Sequence, residues 1–350
     1  MLSKTLPRLI PVAVLAGALL LAPQLTPACT RCVYLGPKDT VVVGRSMDWA
    51  VDPETNLFCF PRGMKRDGAA GPNSIKWTSR YGSVICNFYN AATVDGMNEK
   101  GLVANTLYLV ESNYGKPEGK PVMSISLWAQ YVLDNYATVD EAVESLRKEP
   151  FRIIAPVMPD GRPAQGHLSI SDPSGDSAIF EYIDGELVIH HGREYQVMTN
   201  SPSYDQQLAL DAYWQQIGGS VMLPGTNRAA DRFARASFYI TSMKPTDDLD
   251  RAIASVFSVI RSVSVPIGYT TPDKPNIANT IWRTVFDQKR RVMFFDSATS
   301  PSVLWVSLDK LDFSEGAPVR MLDVASGKTY AGESAAEFQK AEPFEFLPAE

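Results

Sequence analysis

Alternating apolar and polar positions predict a β-hairpin near the start of the chain. Thr30 to Leu35 and Thr40 to Trp49 are rich in Val, Tyr and Thr, which favour strands. Between them lies Gly36-Pro37-Lys38-Asp39, which has the composition of a turn. We therefore expect two antiparallel strands joined at this turn.

A second group of short apolar runs lies near the middle of the chain. The runs are His167–Ser171, Ser177–Tyr182 and Glu186–His191, separated by turn-forming residues at 172–176 and 184–185. Short strands with turn residues between them predict an antiparallel meander.

Two stripes of apolar residues recur at the spacing of one helical face. The stripes are Ile125, Trp128, Val132 and Tyr136, and Leu249, Ile253, Val256 and Ile260. Thr138-Val139-Asp140-Glu141 has the form of a capping box and predicts the start of a further helix. Strands in pairs and helices in separate runs predict an α+β fold with two sheets covered by helices.

The segment Met1–Ala28 has the features of a secretory signal peptide. Lys4 and Arg8 precede an apolar run from Leu9 to Ala22, which is too short to span a bilayer comfortably. Thr26 and Ala28 are small residues that suit cleavage before Cys29. We expect residues 29–350 to form one soluble exported domain, either periplasmic or secreted, and no later segment predicts a membrane helix.

Composition narrows the range of functions. Hydrophobic residues make up 45% and charged residues 21%, which is typical of a globular protein and excludes disorder. The formal net charge is −6, and no basic block indicates a nucleic-acid partner. His190 and His191 are adjacent in a predicted strand, so their side chains point to opposite faces. With only three histidines in the chain, we predict no metal site and no cofactor.

Cleavage before Cys29 would place a thiol and a free α-amine on the same residue. The reference pKa is ~8.5 for a thiol and ~7.7–8.0 for an α-amine. At neutral pH such an amine can accept the thiol proton and later donate a proton to a leaving amine. Cys29 is therefore a candidate N-terminal nucleophile.

Two other interpretations of Cys29 are open. A cysteine that follows a signal peptide is lipidated in lipoproteins, although Leu25 and Pro27 fit the usual recognition pattern poorly. Cys29-Thr30-Arg31-Cys32 could instead be a redox or metal pair, although such pairs usually open a helix. Cys32, Cys59 and Cys86 are expected to pack in the core, and export would permit one disulfide among them.

The hairpin predicts which side chains lie near Cys29. If Leu35 pairs with Thr40, Cys29 lies opposite Ser46, and Asp48 shares the face of Cys29. Arg45 then points to the other face unless a bulge intervenes.

Several motifs together resemble the choloylglycine hydrolase (bile salt hydrolase) and penicillin V acylase family of N-terminal nucleophile hydrolases. They occur in the family's order and span most of the chain after Ala28. Asp231 stands where the family pattern has Ser, so the last motif matches more loosely. The motifs are Cys29, Gly44-Arg45-Ser46-Met47-Asp48-Trp49, Asp95-Gly96-Met97-Asn98-Glu99-Lys100-Gly101-Leu102, Met198-Thr199-Asn200-Ser201-Pro202 and Asp231-Arg232-Phe233.

The resemblance implies a fold, an activity and a set of catalytic residues. The fold is a four-layer αββα sandwich with two antiparallel sheets, and the activity is hydrolysis of a linear amide C–N bond. Cys29 would be the nucleophile and Asp48 would orient its amine, with Arg45 and Arg232 as cationic neighbours. The resemblance places Arg45 in the active site, against the strand parity above, and one bulge would reconcile the two.

The remaining implied residues would stabilise the oxyanion and bind substrate. Asn200 would donate to the tetrahedral intermediate, and Tyr108, which stands where bile salt hydrolases have Asn, would play an analogous role as in penicillin V acylases. One such donor is worth roughly 10²–10³ in rate. Trp49 could line an apolar acyl pocket, although core packing would explain it equally well. We also expect Pro202 to end the preceding strand, which leaves the Asn200 side chain free to face a cleft.

The family members that this chain resembles cleave penicillin V, conjugated bile salts or N-acyl homoserine lactones. Each is a small-molecule amide of a bulky apolar acyl group and a polar amine, and Tyr108 favours the acylase side. The family also implies a homo-oligomer, commonly a tetramer. A different class of function is an exported lipoprotein or binding module that keeps the fold without turnover.

Overall fold

The computed structural model describes residues 28–158, 161–268 and 278–349. The predicted signal peptide, apart from Ala28, lies outside the described residues. Within these ranges no helix combines the length and apolar character needed to cross a membrane.

The described chain folds into short strands and five α-helices, with single turns of 3₁₀ helix between some of them. The helices are α1 (Trp128–Asn135), α2 (Val139–Leu146), α3 (Tyr204–Ile217), α4 (Ala229–Ser242) and α5 (Leu249–Ser262). The strands of the first half are β1 (Thr30–Gly36), β2 (Thr40–Trp49), β3 (Leu57–Phe60), β4 (Lys65–Asp67), β5 (Lys76–Thr78), β6 (Ser83–Phe88), β7 (Ala92–Asn98), β8 (Val103–Leu107), β9 (Val122–Ser124) and β10 (Arg152–Ile154). The later strands are β11 (His167–Ser171), β12 (Ser177–Ile183), β13 (Glu186–His191), β14 (Val197–Met198), β15 (Asn279–Asp287), β16 (Val292–Ser297), β17 (Leu304–Ser307), β18 (Arg320–Leu322), β19 (Gly332–Glu333) and β20 (Gln339–Lys340).

Two large sheets contain most of these strands. Among the described residues, one sheet has seven strands in the order β14-β1-β2-β15-β16-β17-β19, antiparallel except for the β17–β19 pair. The other has nine strands in the order β13-β12-β11-β8-β7-β6-β3-β18-β20, and all its neighbours are antiparallel. The pairs β9–β10 and β4–β5 lie outside both.

Helices cover the outer face of each sheet, and apolar side chains fill the space between the sheets. α4 and α5 pack on β1 and β2, whereas α1 and α2 pack on β7, β8 and β12. One core joins Val43 and Val285 of the seven-stranded sheet to Val84 and Ile179 of the nine-stranded sheet. This arrangement confirms the predicted α+β sandwich of two antiparallel sheets between helical layers.

Gly44 explains how closely α5 approaches β2. A Cβ at this position would lie 2.6 Å from side-chain carbons of both Val256 and Ile260. Since real Cβ contacts are never that short, a side chain at residue 44 would push α5 off the strand. Glycine at residue 44 therefore allows α5 to pack directly on β2, next to the position of Arg45.

The predicted meander and helices are confirmed. β11, β12 and β13 pair antiparallel in sequence, and the second apolar stripe lies on α5. The Thr138 side chain accepts from the backbone N–H of Glu141 at 3.2 Å and caps α2 as predicted. In the first stripe, Ile125 lies in a turn of 3₁₀ helix, and Tyr136 is the residue at which α1 ends.

Candidate active site

The predicted hairpin forms, but its register differs by one residue from the expectation. Gly36, rather than Leu35, pairs with Thr40, and the pairing continues without interruption to Thr30 opposite Ser46. The turn is shorter because Lys38 and Asp39 adopt positive φ values of 53° and 57°, so the chain reverses over three residues. The prediction that Cys29 lies opposite Ser46 is therefore wrong.

This register reverses the predicted parity and resolves the conflict over Arg45. A shift of one residue exchanges the two faces of a strand. Arg45 and Met47 now face Cys29, with the Cys29 Sγ 3.8 Å from Arg45 Nη2 and 3.9 Å from Met47 Sδ. No bulge between β1 and β2 is needed, because the pairing from residue 30 to residue 46 is regular.

Arg45 is a fully buried cation beside the thiol. Its guanidinium carbon lies 4.4 Å from the centre of the Trp282 ring, and its Nη1 lies 3.9 Å from Asp95 Oδ2. Among the described residues, its Nε and Nη1 have no hydrogen-bond acceptor. A buried guanidinium with uncommitted donors favours negative charge nearby, such as a thiolate.

Asp48 contacts Cys29 through its backbone rather than through its carboxylate. The Asp48 amide donates to Cys29 Sγ at 3.5 Å. The carboxylate accepts hydrogen bonds from the hydroxyls of Thr280 and Ser46. Because the side chain of Asp48 points to the other face of β2, the prediction that it shares the face of the Cys29 thiol is wrong, although Asp48 remains a direct neighbour of Cys29.

Burial and charge act in opposite directions on these groups. Burial raises the pKa of the Cys29 thiol, whereas Arg45 and Arg232 lower it. Burial raises the pKa of Asp48 to about 6 against the opposing effects of Arg232, Thr280 and Arg45. Burial also lowers the pKa of the Arg232 guanidinium to about 10. Charged groups are thus buried at this site, although their removal from water costs free energy.

Arg232 links Cys29 to Asn200. From α4, its Nη1 donates to the Cys29 carbonyl at 2.6 Å and to the Thr30 hydroxyl, while its Nη2 donates to Asn200 Oδ1 at 2.9 Å. The Asn200 amide nitrogen in turn donates to the Tyr108 carbonyl at 2.7 Å. The expectation that the Asn200 side chain is free to face a cleft is therefore wrong, because a buried amide takes up the partners available to it. The second hydrogen on its Nδ2 remains for another acceptor.

An apolar cavity opens beside Cys29. Arg45, Trp49 and Tyr108 line it together with Cys29. Arg232 contacts the Cys29 carbonyl, Asp48 contacts the Cys29 sulfur, and Asn200 is joined to Cys29 through Arg232. The other lining residues are Met47, Phe88, Tyr89, Ala91, Ala92, Thr93, Val94, Thr106, Leu107, Ile125, Ser126, Pro156, Met158, Ala164, Gln165 and Leu347.

Aromatic rings form one wall of this cavity. The Trp49 ring meets Phe88 edge-on with centroids 5.4 Å apart and Tyr108 at 5.8 Å. The Tyr108 hydroxyl donates to Gln165 Oε1 at 3.3 Å. Trp49 thus lines the cavity, and its predicted contact with an acyl group stays a prediction.

The other three cysteines are buried in the core, and His167 lies beside Thr199. Cys32, Cys59 and Cys86 are free buried thiols, and burial raises the pKa of Cys32 and Cys59 to about 12. Three residues of extended chain span ~10 Å, too far for a disulfide between Cys29 and Cys32. In the described ranges no three His, Cys, Asp or Glu side chains come together to hold a metal ion.

Several residues of this site were not found from the sequence. Met47 and Asp95 lie inside the quoted motifs, so position in a motif was the available signal. Thr280 reaches Asp48 because β15 pairs with β2, with an irregularity between Thr280 and Trp282. Leu347 joins the cavity from the other end of the chain, and no local pattern marks it.

The chain matches the model of the linear amide C–N hydrolases, choloylglycine hydrolase family, over residues 29–329. It belongs to this family. It is therefore a hydrolase of linear amide C–N bonds, as the resemblance implied, and its fold is that of the N-terminal nucleophile hydrolases.

Individual relatives agree with this assignment. The chain is 53% identical to a penicillin V acylase of Pectobacterium atrosepticum, in an alignment that covers 94% of each protein. The structure of a penicillin V acylase from Agrobacterium tumefaciens matches with a TM-score of 0.86 and 57% identity, over 91% of this chain and all of that one. A variant of the conjugated bile acid hydrolase of Clostridium perfringens, 21% identical, shares the fold with a TM-score of 0.72 over 87% of this chain and 98% of its own.

Proposed function

We propose that this protein is an exported amidase of the penicillin V acylase type, in which Cys29 is the nucleophile. The observation that carries the proposal is the position of the Cys29 thiol, which lines an apolar cavity while Arg45 lies 3.8 Å from its sulfur. A reactive sulfur beside a cavity for an apolar acyl group fits cleavage of an acyl amide.

Each step of the reaction has a candidate residue. The Cys29 sulfur attacks the amide carbon, and its proton passes to the α-amine that cleavage after Ala28 would expose. The carbonyl oxygen becomes an oxyanion, for which Asn200 Nδ2 and Tyr108 are the candidate donors. The protonated α-amine then gives its proton to the leaving nitrogen, the C–N bond breaks, and water hydrolyses the thioester to regenerate the thiol.

The remaining polar residues position Cys29. Arg232 donates to the Cys29 carbonyl at 2.6 Å and fixes the residue's backbone. Asp48 would hold the α-amine, with its own carboxylate fixed by Thr280 and Ser46. Arg45 would stabilise the thiolate.

The cavity supports a substrate with a flat apolar acyl group. Trp49, Phe88, Tyr89 and Tyr108 supply rings that suit the phenoxyacetyl group of penicillin V. The relatives named as penicillin V acylases share more than half of their residues with this chain, and the bile acid hydrolase shares 21%. We rank penicillin V first, and conjugated bile salts and N-acyl homoserine lactones are the comparison substrates.

Export and self-association are part of the same proposal. Met1–Ala28 reads as a signal peptide, and residues 29–350 would be one periplasmic or secreted domain. The α3 helix and the turn after it leave apolar side chains exposed, among them Tyr213 at 60% and Val221 at 80%. These would be covered in a homotetramer, and light scattering of the purified protein measures the mass directly.

The test of function is hydrolysis of penicillin V by the processed protein and by two cysteine variants. Cys29→Ser should lose at least ~10³-fold in kcat/KM, as expected when a nucleophile is replaced. Cys32→Ser should retain most activity, because Cys32 is a buried thiol on the other face of β1. Equal loss in both variants would instead favour the redox pair, full activity in Cys29→Ser would exclude Cys29 as the nucleophile, and no hydrolysis by the parent protein would favour a binding module.

A further inference from the structure

The cavity beside Cys29 includes a residue from the last described segment of the chain. We call residues 341–349 the strap. Its Leu347 lines the cavity together with Ala91 and Ser126. Building on the proposed amidase function, we propose that Leu347 is a specificity-determining residue that sets the size of the acyl group the enzyme accepts.

Hydrogen bonds hold the backbone of Leu347 in place on both sides. Its N–H donates to the Ala91 carbonyl at 2.7 Å. Its carbonyl accepts from the hydroxyls of Ser124 at 2.7 Å and Ser126 at 3.0 Å. Because Ala91 and Ser126 also line the cavity, Leu347 is attached directly to the wall that it completes.

The residues around Leu347 anchor the strap further. The Phe344 ring meets Phe58 edge-on, with centroids 5.0 Å apart, and Phe346 lies 4.8 Å from Phe344. Beyond Leu347, Ala349 is buried and its N–H donates to the Ala69 carbonyl at 2.8 Å. Phe344 and Phe346 pack against the core under α1, so the strap is fixed independently of the Leu347 side chain.

Leu347 and Cys29 come from opposite layers of the fold. Cys29 leads into β1 of the seven-stranded sheet, whereas Ala91 precedes β7 of the nine-stranded sheet. An acyl group in the cavity therefore lies between the seven-stranded sheet, which carries Cys29, and the nine-stranded sheet, to which the strap is attached. Leu347 is half-buried, and an apolar side chain in such a wall is a direct determinant of the space an acyl group can fill.

The experiment compares the variants Leu347→Ala and Leu347→Phe with the matched control Glu345→Ala, an exposed residue of the same strap. The substrates are amides that share one amine and carry a phenoxyacetyl group or straight acyl chains of increasing length. Leu347→Ala should lower kcat/KM for the phenoxyacetyl amide and raise it for the longest acyl chains, changing their ratio about 10-fold or more. Leu347→Phe should change the ratio in the opposite direction, and Glu345→Ala should leave it as in the parent protein.

A binding measurement separates this inference from the proposed function. In the Cys29→Ala protein, isothermal titration calorimetry measures binding of phenoxyacetate and of longer carboxylates. If the parent enzyme hydrolyses none of the amides, the proposed function fails, yet a size preference that changes with Leu347→Ala would still support the inference. If neither the kcat/KM ratio nor the binding preference changes in either Leu347 variant, the inference is overturned.

Discussion

The backbone N–H of Asp48 donates to the sulfur of Cys29 at 3.5 Å, while the Asp48 carboxylate points to the other face of its strand. The residue thus has two separable contributions at the site. Its amide stabilises charge on the sulfur whatever its side chain is, and its carboxylate would be available to the α-amine that the proposed cleavage before Cys29 exposes.

This separation predicts the behaviour of Asp48→Asn. The amide contact to the sulfur is kept, and a negative charge that raises the pKa of the Cys29 thiol is removed, so the thiol should react with iodoacetamide at least as fast as in the parent protein. Hydrolysis should fall by roughly 10²–10⁴, because the α-amine proposed to transfer the proton would no longer be held by a carboxylate. Parallel measurements of alkylation rate and kcat on the folded variant test this, and equal loss of both would contradict the separation.

Asp95 predicts a pH dependence of stability. Burial raises its pKa from 3.8 to about 6, so between these values the native state holds a proton that the unfolded chain has released. The contribution of Asp95 to the free energy of unfolding is therefore greatest below pH 4, and it decreases as the pH rises through 6. Relative to Asp95→Asn, the parent protein should lose roughly 2 kcal/mol between pH 4 and pH 7.

Urea unfolding at both pH values measures this difference. Asp309→Asn, at an exposed position, is the control and should show the same pH dependence as the parent protein. If the free energy of unfolding of the parent protein and of Asp95→Asn differed by the same amount at both pH values, the folded state would not disfavour ionisation of Asp95. That result would contradict the prediction.

Arg45 should control the reactivity of the thiol. Removing a cation that lies 3.8 Å from the sulfur raises the thiol pKa, because Arg45 is the largest influence that lowers it. Arg45→Met should therefore slow alkylation of Cys29 at neutral pH by about 10-fold per pH unit of pKa increase. The pH dependence of the iodoacetamide rate reports the pKa directly.

Arg283→Met is the matched control for this measurement. Arg283 is a partly buried arginine of the neighbouring β15, and it donates to Ser264 and Asp296 rather than to the thiol. Its removal should leave the thiol pKa unchanged. If both variants changed the thiol pKa equally, the effect would come from general loss of packing.

A buried hydrogen-bonded pair near Asn200 should contribute strongly to stability. His167 contacts Glu181 Oε1 and the Thr199 carbonyl, each at 2.7 Å, and is 1% exposed. His167→Ala leaves the Glu181 carboxylate buried without this partner, at an expected cost of about 3–5 kcal/mol in the free energy of unfolding. His191→Ala removes a partly exposed pair with Asp176 and should cost about 1 kcal/mol or less. Similar losses in the two variants would contradict this assignment.

Local patterns predicted the elements of the fold well, and they failed where turn geometry decided the register. Strand composition located β1, β2 and the meander, because residue types alone mark such segments. The register of β1 against β2 depended on positive φ at Lys38 and Asp39, which neither residue type requires. That single-residue shift exchanged the faces of Arg45 and Asp48.

The residues of the candidate site also fall into those that local sequence predicts and those that it does not. Motifs located Cys29, Arg45 and Asp48 because each lies in a short segment with a recognisable pattern. Thr280 and Leu347 reach the site through strand pairing and through the strap, and both contacts join segments that lie far apart in the chain. Such residues follow from the assembled fold rather than from any window of sequence.

The central claim is that Cys29, exposed at the N-terminus by processing, forms a thioester with the acyl group. The decisive measurement is the intact mass of the protein expressed with its own signal peptide, before and after brief exposure to penicillin V with acid quenching. We predict a chain that begins at unmodified Cys29 and then gains one phenoxyacetyl group, located on the Cys29 peptide. A lipid adduct on Cys29, or a chain that begins elsewhere and keeps Cys29 internal, would contradict the account.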